Sequence, residues 1–305
     1  MDRVREQLHM DTAYAMGLTG KNINVCVLDT GIFPHMDFDD RVLEFIDFTG
    51  RKKRGYYDES GHGTHVCGIL AGSGRASRGK YQGIAPGAGL IMGKILNRQG
   101  KGQMENLFQA LDWILNNYRQ YHIRIVNISI GISEKDSRAE NTAQRLILHS
   151  YMEQFYENDV LVVTAAGNLG PAQNSLSVLG ESMQTICVGC HDGAFRFPGQ
   201  KKCEVYSGRG PSIYSLRKPD VVAPGTEIVS CSNRNAYGYV SKSGTSMACP
   251  IVSGLAALVL EQHPDIGVKR LMSKLRNGTI NLKEPWSKQG YGMVDGEKIF
   301  RQTGF

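Results

Sequence analysis

The chain of 305 residues has no apolar run at its amino end, where Met1-Asp2-Arg3-Val4-Arg5-Glu6 is largely charged, so no secretory signal is expected in it. No later run reads as long enough to cross a bilayer, and no membrane partner is expected. Charge of one sign is not in excess either. Lys and Arg number 35 against 29 Asp and Glu, a net +6 without the concentrated basic face of a nucleic-acid binder, so no nucleic-acid partner is expected. The one basic run, Arg51-Lys52-Lys53-Arg54, reads as a solvated loop, or as a place where the chain could be nicked. The seven cysteines (Cys26, Cys67, Cys187, Cys190, Cys203, Cys231, Cys249) lack an even, clustered pattern. Free thiols and a cytoplasmic location are therefore expected. Cys187-x-x-Cys190 has no second pair and no ligand cluster beside it, so it is not read as a zinc site. With no linker, repeat or low-complexity stretch, a single domain over residues 1–305 is expected. Oligomeric state is not legible.

What is present is concentrated in four stretches: Val27-Leu28-Asp29-Thr30-Gly31, Gly61-His62-Gly63-Thr64-His65, Ala165-Ala166-Gly167-Asn168 and Ser243-Gly244-Thr245-Ser246-Met247-Ala248. They supply a carboxylate, an imidazole, an amide and a hydroxyl, each beside glycines or small residues that admit another backbone. Apolar, β-branched runs at 22–28, 90–96, 123–130, 160–165 and 185–188 read as buried parallel strands, and 221–225 as a strand ended by Pro and Gly. Helical patterns fall at 63–71, 104–117, 138–157 and 246–260. Their alternation predicts an α/β fold, a three-layer, doubly wound, mostly parallel sheet with helices on both faces and functional groups at the carboxyl ends of the strands.

A serine hydroxyl needs an imidazole to take its proton, and a buried carboxylate to orient that imidazole and stabilise its cation. Asp29, His62 and Ser246 can fill these roles if folding brings them together. Singly, each has a blander use: Asp29 capping a turn, His62 or Ser246 capping a helix, Asn168 holding a loop. An α/β-hydrolase would require G-x-S-x-G and the order Ser, acid, His, whereas here the order is Asp, His, Ser and the serine lies in Gly-Thr-Ser-Met-Ala.

These stretches, with Gly83-Ile84-Ala85-Pro86, Ser129-Ile130-Gly131 and Ala223-Pro224-Gly225, resemble the subtilisin-like serine peptidases of the intracellular bacterial type, from about Thr19 to about Gly292. The resemblance implies a serine endopeptidase acting on peptide or protein substrates through an acyl-enzyme on Ser246. His62 would be the general base, Asp29 its orienting partner, and Asn168 an oxyanion donor beside the Ser246 backbone N–H. It also implies an extended substrate between two edges, one at Gly100, Gly102 and Met104, the other at Ser129, Ile130 and Gly131. Ala165, Ala166 and Gly167 would wall the primary pocket, with Leu169 and Ser177 near it. None of these is charged, so an apolar or neutral side chain before the cut is expected. The alternatives are a peptide-maturation protease or macrocyclase, for which no shielding insertion is found, and a non-enzymatic scaffold, which the intact motif residues oppose.

Further expectations concern the surroundings. His65, three residues after His62, has no third ligand following on that helix to make a metal site, and the resemblance implies that it is a packed structural histidine. Cys67 is expected close enough to His62 for bulky thiol reagents to act there. The loop Gly74-Arg75-Ala76-Ser77-Arg78-Gly79-Lys80 has no carboxylate or carboxamide, so neither a tight calcium site nor any cofactor is expected. Arg75 or Arg78 is expected to pair with Asp37 instead.

Overall fold

The computed structural model describes residues 1–50, 54–131, 141–195, 199 and 201–301, with the side chains of 141 and 142 left aside. Nine strands form one sheet: β1 (Asn24–Asp29), β2 (Val42–Asp47), β3 (Gly89–Lys94), β4 (Ile123–Ile128), β5 (Leu161–Ala165), β6 (Thr185–Cys190), β7 (Val221–Ala223), β10 (Thr279–Ile280) and β11 (Met293–Val294). A separate antiparallel pair, β8 (Ile228–Cys231) and β9 (Tyr239–Lys242), intervenes in sequence. The helices are α1 (Asp2–Gln7), α2 (Asp11–Ala15), α3 (His62–Ala71), α4 (Met104–Asn117), α5 (Asn141–Glu157), α6 (Thr245–Gln262), α7 (Val268–Asn277), α8 (Trp286–Gln289) and α9 (Gly296–Arg301).

The strand order is β10-β11-β7-β6-β5-β4-β1-β3-β2, with only the β10–β11 pair antiparallel. The central strands are apolar throughout because both faces are covered. Val25 and Val27 of β1 pack with Val66, Ile69 and Leu70 of α3 and Leu255 and Val259 of α6 on one face. Cys26 and Leu28 pack with Leu107, Leu111 and Ile114 of α4 and Met152 and Phe155 of α5 on the other. β1 lies between β3 and β4: the chain adds β2 and β3 on one side of it and then crosses to add β4 on the other, and that reversal opens a crevice at the carboxyl ends of β1 and β4.

The expected strands and helices are found within a few residues of their anticipated ends; 138–140 of the anticipated third helix, and 51–53 of the basic run, lie outside the described residues. Two expectations are corrected. α6 is in fact long and apolar enough, at 18 residues and mean hydropathy 1.3, to cross a membrane, but 83 % of it is buried inside the protein as the core helix between α3 and the sheet. The cysteines are not all free. Cys190 at the end of β6 and Cys203 are joined as a disulfide, their Cα atoms 5.8 Å apart, because the chain after β6 turns back across that strand's end. Cys26, Cys67, Cys187, Cys231 and Cys249 are free and buried.

Candidate active site

Asp29 ends β1 and is fully buried. Its carboxylate accepts the Thr30 N–H at 2.7 Å and faces His62 Nδ1 at 2.8 and 3.0 Å. His62 is the first residue of α3. The approach of strand end and helix start explains the glycines of both stretches: a Cβ on Gly63 would lie 2.2 Å from the Gly31 carbonyl oxygen, and one on Gly31 2.1 Å from that of Tyr57. Gly31 also sits at φ +122°, where a side chain is strained.

Two residues that the sequence reading passed over hold this junction. Asp58 accepts the N–H groups of Ser60 (3.0 Å), Gly61 (2.8 Å) and Thr64 (2.9 Å) and the hydroxyls of Thr30 (2.9 Å) and Thr64 (2.6 Å). A carboxylate there satisfies the open N–H groups at the start of α3 and complements its dipole. An Asp just ahead of a helical run is a signal that could have been read. Lys94, which ends β3 in register with Asp29 of the neighbouring β1 and is fully buried, donates from Nζ to the carbonyls of Thr30 (2.5 Å) and Leu96 (2.8 Å), and its cation lies 5.3 Å from the Tyr57 ring centre. No local pattern announces a lysine inside a sheet.

Burial works against a charge on His62, but the Asp29 charge and hydrogen bond outweigh it and hold the imidazole's pKa above its ordinary 6.5; the Lys242 charge pulls the other way. Ser246 is the second residue of α6, so its N–H is among those without a helical partner, at the positive end of the dipole. Gly244 caps the helix at φ +147°. The Thr245 N–H and hydroxyl donate to Asn168 Oδ1 at 3.1 and 3.2 Å, which identifies the oxygen end of that amide and leaves Nδ2 as the donor end. Among the described residues the Ser246 hydroxyl makes no hydrogen bond to His62 or to any other group. Catalytic hydrogen bonds are often long before substrate binds.

His62 and Ser246 line one cleft of about 730 Å³. The anticipated Gly100, Gly102, Met104, Ser129, Ile130 and Gly131 line it too. Ala165, Ala166, Gly167, Asn168, Leu169 and Ser177 lie beside it without lining it. β4 and β5 are neighbours, and a Cβ on Gly131 would lie 3.9 Å from Gly167 Cα, so the two segments leave the sheet side by side. The buried Ser177 donates its N–H to the Ala166 carbonyl at 2.8 Å, while Asn168 and Leu169 are exposed.

His65 is fully buried, with Nε2 shared between the carbonyls of Ile228 (2.9 Å) and Val240 (3.0 Å), a packed residue as expected. Burial, then the His62 charge, depress its pKa to about 3. Cys67 is fully buried with its thiol pKa pushed well up by burial and does not line the cleft, so the expected attack by bulky reagents finds neither access nor thiolate. The pairing of Asp37 with Arg75 or Arg78 is also corrected. Arg75 reaches the exposed Asp39 at 3.1 Å. Asp37 is buried, and its carboxylate accepts the Ala76 N–H (2.9 Å), the Tyr239 hydroxyl (2.7 Å) and the Cys231 thiol (3.7 Å). With its oxygens so engaged and no second carboxylate from the 74–80 loop, the residues do not fit a calcium ligand set.

The chain matches the subtilase family (Peptidase_S8) over residues 20–294. It is 35 % identical to serine protease AprX of Bacillus subtilis (strain 168), over 97 % of this chain and 71 % of that protein. Subtilisin DY of Bacillus licheniformis is 29 % identical, with 94 % of each covered. Among solved structures, sphericase superposes with a TM-score of 0.76 at 27 % identity, over 91 % of this chain and 92 % of its own.

Proposed function

Because this chain belongs to the subtilase family and is a serine endopeptidase, we propose that Asp29, His62 and Ser246 are its triad and that Asn168 Nδ2 and the Ser246 N–H form its oxyanion hole. The observation that carries this is the Asp29–His62 hydrogen bond opening into the cleft that Ser246 lines. An extended peptide lies between the 100–104 and 129–131 edges and presents its carbonyl carbon to Ser246 Oγ. As the C–O bond forms, His62 Nε2 takes the hydroxyl proton while Asp29 holds Nδ1–H and faces the resulting cation. The carbonyl oxygen, now negative, is met by the Ser246 N–H at the start of α6 and by Asn168 Nδ2 from the segment after β5. Collapse breaks the C–N bond, and His62 returns the proton to the leaving amine. Water then repeats the sequence on the acyl-enzyme and frees the acid.

Ala165, Ala166, Gly167, Leu169 and Ser177 bear no charge, which supports a preference for an apolar or neutral residue before the cut. Five free thiols support action in the cytoplasm, and the Cys190–Cys203 disulfide opposes it. Cyclisation is not favoured, since the relatives named are proteases. An active-site phosphonate is expected to label the protein and Ser246→Ala to abolish both labelling and peptide cleavage; retained cleavage in that variant would remove Ser246 from the mechanism.

A further inference from the structure

Among the described residues that line the cleft, Lys101 and Lys242 are the lysines and neither Asp nor Glu is found. Lys242 ends β9, four residues before Ser246, and is half-buried. Among the described residues its ammonium makes no hydrogen bond or ion pair. The acid that flanks it in space, Glu227, is taken by its sequence neighbours: the Ser241 and Ser243 hydroxyls reach Glu227 at 2.8 and 3.4 Å. Side chains alternate along a strand, so Lys242 points away from that acid and into the cleft.

Its position relative to the reaction follows from the proton path. His62 hands a proton to the leaving amine, so the residues after the cut lie on the His62 side, and Lys242, which lines the same cleft, is near enough for its charge to act on that imidazole. The acyl half lies toward the 100–104 and 129–131 edges. An unpaired, partly desolvated cation on the leaving side attracts a carboxylate more than it would in open water. This rests on the triad reading above. We propose that Lys242 determines specificity by receiving a substrate carboxylate on the leaving side, from an Asp or Glu one or two residues after the cut or from a chain terminus at that distance.

The test uses matched peptides differing only at those two positions, Glu against Gln against Lys, and a shortened peptide ending there as free acid or amide. Wild-type enzyme is expected to cleave the Glu peptide with a kcat/KM about two- to fivefold above Gln, with Lys lowest, the order expected of a part-exposed ion pair. The preference should shrink at about 0.5 M salt, where screening is short-ranged. Lys242→Gln should erase it, Lys242→Glu should invert it, and Lys242→Arg should keep it. A preference for the free-acid end alone assigns the terminus as the source, and one for internal Glu assigns the side chain. Equal cleavage of Glu and Gln peptides by wild-type, or an unchanged preference in Lys242→Gln, overturns the proposal, and the wild-type comparison holds even if a variant fails to fold. Absence of all cleavage and phosphonate labelling would instead reject the triad reading.

Discussion

Two imidazoles three residues apart on α3 meet opposite fates. His62 faces a carboxylate, which outweighs the burial that opposes its charge, so it titrates above its ordinary 6.5. His65 is enclosed with two carbonyls and stays neutral down to about 3. Only neutral His62 can accept the Ser246 proton. Cleavage (kcat/KM) is therefore expected to rise with pH through a midpoint above 6.5, and Asp29→Asn to lower both that midpoint and the plateau. The stability that His62 gains from Asp29 runs the other way: it is fully present below the unfolded value near 6.5 and is lost as pH rises through the folded one. A midpoint at or below 6.5 in the pH–rate profile would contradict the raised value. In the oxyanion hole proposed above, Asn168 would act only where charge develops. Asn168→Ala is expected to cost about 10²–10³ in kcat with little change in KM, the range found for one such donor in a subtilisin, as steady-state kinetics would measure.

At the scale of elements, both reacting groups stand at helix starts. α3 brings the imidazole against the end of β1, and α6 brings the hydroxyl and its N–H to a positive helix end. The first arrangement depends on two backbones approaching closer than a methyl group allows. Gly63→Ala would put its Cβ 2.2 Å from the Gly31 carbonyl oxygen, which is backbone and has nowhere to move. Overpacking of this kind costs about 1–3 kcal/mol. Activity is expected to fall further than stability does, more than tenfold, because the shift separates His62 from Asp29 directly. Thermal melts and kinetics on the same variant compare the two losses.

Across the whole molecule, the amino-terminal segment is tied to remote parts of the chain, the last described helix among them. Arg3 donates to the Thr226 carbonyl at 2.7 Å, Gly296 N–H donates to the Leu8 carbonyl at 2.7 Å, and His9 meets Asp295 at 2.6 Å. The Cys190–Cys203 disulfide lies against the same region. A Cβ on Gly225 would lie 2.6 Å from Cys190 Sγ and 2.7 Å from the Gly244 carbonyl oxygen, so the bridge packs beneath the turn that presents Ser246. Its sequence separation of 13 residues makes a closed loop worth about 2–3 kcal/mol. Cys203→Ser, or treatment with a dithiol, is expected to lower the melting temperature of the oxidised protein accordingly. An unchanged melting temperature would show that the bridge contributes nothing to the protein in solution.

Features that depend on neighbours along the chain were legible before folding: buried strands from unbroken apolar runs, amphipathic α4 from its spacing, and polar side chains at strand ends flanked by glycine. The sequence also supplied the Asp, His, Ser order and context that marked the family. Tertiary structure decided what depends on distance between remote segments. Asp37 takes the hydroxyl of Tyr239 and the N–H of Ala76, not an arginine, because β9 and the 74–80 loop close over it. Lys94 is buried because the Thr30 carbonyl after β1 and the Leu96 carbonyl after β3 receive it, and α6 lies in a core, not a bilayer, because α3 and the sheet cover it. Cys190 meets Cys203 only once the chain turns back over β6. Hydrogen bonds and packing act over a few ångströms, and which residues come that close is a property of the folded path.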